Sequence, residues 1–109
     1  MKAEIQRSRM IREAILQALS IVDGAGSSFG LTFEQLHLGF SRSRLEVKAS
    51  ELHREMNDLV DDQLICKRWD EELEGWEFRL TSRGRDFKKA GCPWEKIDEY
   101  TGGQSPPRG

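Results

Sequence analysis

The sequence predicts an α+β fold, mainly helical with one small antiparallel β-hairpin. Two apolar stripes at helical spacing and one stretch of alternation carry that expectation. The first stripe is Ile11, Ala14, Ile15, Ala18, Leu19 and Val22; the second is Leu52, Met56, Leu59 and Val60, ending on Gln63. The alternation lies within Leu64 to Ala90, LICKRWDEELEGWEFRLTSRGRDFKKA. There Trp76, Phe78 and Leu80 point one way and Glu77 and Arg79 the other, as a sheet with one buried face requires.

The first helix begins between Lys2 and Ser8 and ends before Asp23, where GAGSSFG brings in glycine and serine. Ile5, Met10, Leu16 and Ile21 lie off its stripe. That surplus fits either a wide buried face or a contact with a second subunit. The second helix opens at Thr32 with Gln35 three residues on, a capping-box pair. Phe33, Leu36 and Phe40 supply its inward side, and Gly39 keeps it short. Residues 41–50, SRSRLEVKAS, read as an extended connection in which Leu45 and Val47 alternate like a short strand.

The third helix runs from about Ser50 to Asp62 with Ser50 as its cap. Opposite its apolar stripe stand Ser50, Arg54, Asn57, Asp58 and Asp61, with His53 at the margin. Leu64 and Ile65 then open the hairpin, an acidic turn ends in Gly75, and the second strand runs to Leu80. Thr81 caps a last helix of the domain that turns Phe87 and Ala90 inward. Past Gly91, Pro93 begins a short helix, PWEKIDEY, with Trp94 and Ile97 on one side and Tyr100 extending it. The terminal TGGQSPPRG has no apolar anchor and is expected to be disordered. The expected organisation is a domain over 1–91, a short helix over 92–100 and a tail over 101–109.

With 109 residues the chain holds one core. A formal net charge of -2 excludes a coating protein held to nucleic acid by overall charge, so any such binding must be local. No apolar run reaches the roughly 18 residues needed to span a bilayer, and MKAEIQRSRM lacks the apolar core of a secretion signal, so the expected location is cytoplasmic. Cys66 and Cys92 form no metal-ligand spacing, and Cys66, inside a strand, reads as a small buried thiol. His37 and His53 are too isolated for a metal site. No nucleophile with its base, phosphate loop or carboxylate pair assembles from these residues, so neither catalysis nor a cofactor is expected.

The order of elements resembles the winged helix-turn-helix superfamily, in particular the small domains of the PadR and MarR families of bacterial regulators. The likeness covers Ile11 to Ala90 and rests on LTFEQL for the second helix, SELHREMNDLVDDQLICKRW for the third helix and first hairpin strand, and WEFRLTSRGRDF for strand into helix. Its most specific piece is Leu80-Thr81-Ser82-Arg83-Gly84, the LT-x-x-G ending found where the wing returns to the body of the domain. The resemblance implies double-stranded DNA binding, with the third helix in the major groove, by a transcriptional regulator acting as a homodimer.

On that expectation Arg54 pairs with guanine, Asn57 with adenine, Ser50 or His53 reaches phosphate, and Arg42, Arg44 and Lys48 hold further phosphates. Two features stand against it. Residues 51–62 set Arg54 alone against Glu51, Glu55, Asp58, Asp61 and Asp62. The hairpin turn carries Asp70, Glu71, Glu72 and Glu74 where basic residues usually meet the backbone. Either the wing points away from DNA, or the domain is an interaction module that offers its acidic third helix and wing to a protein partner. Further cations lie at Arg7, Arg9 and Arg12 and at Arg83, Arg85, Lys88 and Lys89.

Overall fold

The computed structural model describes residues 2–26 and 30–101, the side chains of Tyr100 and Thr101 excepted. Along the chain run α1 (Lys2–Gly24), β1 (Leu31–Thr32), α2 (Phe33–Ser41), α3 (Ala49–Asp61), β2 (Ile65–Asp70), β3 (Gly75–Leu80) and α4 (Ser82–Lys89), then a 3-10 turn (Trp94–Lys96) and α5 (Ile97–Thr101). The architecture is mainly helical with a three-stranded antiparallel sheet of order β1-β3-β2. No helix among the described residues is long and apolar enough to cross a membrane. Of the tail assigned from the sequence over 101–109, Thr101 instead closes α5, and residues 102–109, like the side chain of Tyr100, lie outside the described residues.

α1 forms the spine. Ile11, Ile15 and Leu19 from the expected stripe are buried, and so is Leu16, which the stripe left outside. Leu16 extends the inward face because α1 is covered from more than one direction, by α3, β3 and α4. Ile5, Met10 and Ile21 stay exposed. α2 starts as expected: Thr32 accepts from the Gln35 amide and the Gln35 side chain accepts from the Thr32 amide. The 42–48 connection contains no strand; Val47 is buried, and His37 Nε2 lies 3.0 Å from its carbonyl oxygen.

α3 begins one residue earlier than expected. Lys48 is the N-cap, without a side-chain hydrogen bond, so Ser50 sits inside the first turn rather than capping it. Leu52, Met56 and Leu59 are buried as the stripe requires. Gln63 is not part of that face, since it lies exposed beyond the helix at φ 64.

The hairpin pairs Ile65 with Leu80, Lys67 with Phe78 and Trp69 with Trp76 on one face. Its core end buries Ile65, Phe78 and Leu80, while Trp76, on the correct face, protrudes past the core and is exposed. The two-residue β1 is too short to show a period; it pairs Leu31 with Phe78 and Thr32 with Glu77. That pairing makes β3 a central strand and helps bury Glu77, flanked on its face by Thr32 and Arg68. Glu77 accepts a 2.8 Å hydrogen bond from Arg68, leaving Oε2 without a partner. Cys66, on the outer strand, is exposed instead of buried.

The LT-x-x-G sequence has a physical reading. Thr81 Oγ1 accepts from the Gly84 amide, capping α4, and its hydroxyl donates back to the Gln63 and Leu64 carbonyls before β2. Gly84 is required because a Cβ there would strike the Leu64 carbonyl. Phe87 is buried below it, while Ala90, past the helix end, is exposed rather than inward. Trp94 packs edge-on against Phe87, with ring centroids 4.8 Å apart, and donates to Glu13 on α1. The C-terminal segment therefore packs on its own domain, where Ile97 joins the edge of the core.

Candidate nucleic-acid interface

α3 has two polar sides with different fates. At about 100° per residue Glu51, Glu55, Asp58 and Asp62 fall on one line, toward α1. Arg7 makes a paired contact with both Glu51 oxygens, at 2.7 and 2.9 Å. Arg12 donates to Glu55 and to Asp58, each at 2.7 Å, and the Ser8 hydroxyl donates to Glu55 at 2.7 Å. Arg54 adds a 3.3 Å contact to the other Glu55 oxygen. Burial of Glu55 works against its charge, yet Ser8, Arg12 and Arg54 together hold its carboxyl below the ordinary value. The hydrogen bond from Arg7 likewise holds Glu51 low.

The opposite side of α3 presents Ser50, His53, Asn57 and Asp61, all exposed, with Arg54 at its edge. His53 is held in place: its ring lies flat on Phe33, centroids 3.8 Å apart and planes within 7°. Phe33 is the first residue of α2, so the Thr32–Gln35 capping box fixes the platform on which His53 rests. A side chain stacked in this way meets a ligand with little further loss of rotamer freedom. Ser50, His53 and Asn57 offer hydroxyl, imidazole and amide groups able to donate and accept, and Asp61 adds a carboxylate beyond them.

The expected cations do not all join this side. Lys48 precedes it directly and shares a surface recess with Ser41, Val47 and Glu51. Arg42 is the C-cap of α2 and exposed. Arg44 turns toward α1, on the wall of an apolar groove with Met10, Ala14, Leu36 and Phe40. Arg54 faces a separate recess with Ser8, Arg12 and Trp94, tied to Glu55. Asp58, assigned to the outward side, is half-buried against Arg12.

Two features of the site escaped the sequence reading, although it named His53 itself. The His53–Phe33 stack joins residues with no local signal between them. The inward turn of the acids did have one: spacings of four, three and four from Glu51 to Asp62 trace a single helical line, and acids on one line face one partner. No family model, curated protein or solved structure matches this chain.

Proposed function

We propose that the chain is a winged helix-turn-helix protein that binds double-stranded DNA through α3 and regulates transcription in the cytoplasm as a homodimer. The element order α1, β1, α2, α3, β2, β3 with sheet order β1-β3-β2 supports the fold assignment. The carrying observation is the outward side of α3. It holds Ser50, His53 and Asn57 behind Lys48, while Glu51, Glu55 and Asp58 are occupied by arginines. Glu51, Glu55 and Asp58, three of the five acids that argued against DNA, thus belong to a contact inside the protein, while Asp61 stays exposed on the outward side. Those three are equally lost to the competing reading, in which α3 offered its acids to a protein partner.

In this reading His53 and Asn57 read base edges, and Lys48 and Arg42 hold phosphates, with Arg44 more distant and Arg54 at the margin. Two phosphate contacts per subunit give a dimer a slope of log affinity against log salt of about -3.6. Leu16 and Trp94 are spent inside the protomer, so we place the subunit contact on α1, where Ile5, Met10 and Ile21 stand 53%, 56% and 62% exposed. Light scattering should give about twice 12.5 kDa; a monomer at every concentration removes the dimer. Fluorescence anisotropy against a pool of random duplexes tests the binding. Salt-sensitive binding is expected, and none at low salt would overturn the proposal.

A further inference from the structure

The β2–β3 hairpin carries an apolar surface that the fold does not use. Trp69 and Trp76 pair across the strands beyond the core, edge to face with centroids 5.4 Å apart, and remain 49% and 47% exposed. Leu73, in the turn, is 57% exposed. Large aromatics left half in water on a protruding element mark a surface built for contact, since Trp is enriched where proteins meet.

The surroundings decide what it contacts. Asp70 is used by the turn, its carboxylate accepting from the Glu72 and Leu73 amides, but Glu71, Glu72 and Glu74 are exposed around the apolar residues. Phosphate backbones and anionic lipid surfaces are repelled by such a rim. A cationic protein segment is attracted by it. The rings can hold a cation as well: Lys67 already places its ammonium 5.0 Å from the centroid of Trp76, a cation–π contact.

We propose that Trp69, Leu73 and Trp76 form a docking surface for a basic protein segment, one that carries Lys or Arg beside apolar side chains. Its apolar groups cover the indoles and its cations meet Glu71, Glu72 and Glu74. This surface is separate from the outward side of α3, so the two can be broken independently.

Selection from displayed random peptides on the full chain, with a Trp69→Ala/Trp76→Ala variant as the counter-target, tests it. The enriched peptides should combine net positive charge with apolar residues. The synthesised peptide should lose about tenfold or more in affinity on the double Trp variant. A Glu71→Lys/Glu72→Lys variant, altered only at exposed turn residues, should lose binding comparably, and wild-type affinity should fall with salt. No enrichment over the counter-target, enrichment of neutral or acidic peptides, or full binding by the charge-reversed variant would overturn the proposal. So would loss of self-association or of duplex binding in the Trp variant, which would assign the face to a second copy or to DNA.

Discussion

α3 and the turn of the β2–β3 hairpin are the two acidic regions of this chain, and the fold treats them oppositely. Three acids of α3, Glu51, Glu55 and Asp58, lie on one helical line and are met by Arg7, Ser8 and Arg12 across the interface with α1. Those of the turn stand in solvent around exposed Trp69 and Trp76, with only Asp70 engaged, by the turn's own amides. A run of charge in sequence therefore has no functional meaning until its partners are known. On α3 the Glu51, Glu55 and Asp58 carboxylates are structural and leave Ser50, His53 and Asn57 outward together with Asp61; on the hairpin the carboxylates define the surface itself.

The comparison breaks most decisively at Arg12. Replacing it with Ala leaves Glu55, 2% exposed, with Ser8 and Arg54 alone, and should cost about 3 to 5 kcal/mol in urea unfolding. A cost near zero would mean that the Glu55 charge is not sustained by α1. Phe78→Ala, which empties the core end of the hairpin, should cost a similar 3 to 5 kcal/mol, about the range for a buried Phe; less than about 1 kcal/mol would show that the strand phase is wrong.

Acid titration sharpens the contrast at smaller amplitude. Because Glu55 and Glu51 are held below the ordinary 4.5, their contribution to stability is complete above that pH and is lost as pH falls through their lowered values. Asp62 has the opposite sign. Burial, with Asp58, Asp61 and Asp98 nearby and Arg12 opposing, raises it above 3.8, so its protonation adds stability as pH falls through the raised value. The measurement is the unfolding midpoint against pH, and an Arg12→Ala variant should show a weaker acid loss than the wild type. At the hairpin, Glu71→Gln/Glu72→Gln should change stability by less than about 0.5 kcal/mol, as exposed substitutions do; a larger loss would show that those carboxylates are structural too.

Much of this was legible in the sequence, and the limits have physical causes. The first helix, the capping box, the hairpin phase at Phe78 and Leu80 and the Thr81 cap all rest on local periodicity or hydrogen bonding between near neighbours. β1 was not legible because two residues carry no period, and missing it left Glu77 on an open face. For Leu16 the sequence left a wide buried face and a subunit contact both open, and only the packing of α1 against three elements decides for the first. At the candidate site, the outward positions of Ser50, His53 and Asn57 follow from helical spacing. The stacking of His53 on Phe33 and the departure of Arg44 and Arg54 toward α1 depend on contacts between distant residues, which spacing does not record.

The central claim is that DNA meets the outward side of α3 and not the hairpin turn. The most direct test is a matched pair of variants, Asn57→Ala and Glu71→Gln/Glu72→Gln, titrated by fluorescence anisotropy against a duplex selected by the wild type and against random duplex. Asn57→Ala should lose about 1 to 3 kcal/mol on the selected duplex and little on random sequence, while the hairpin variant follows the wild type on both. Unchanged binding by Asn57→Ala, with the hairpin variant altered on either duplex, would contradict the account.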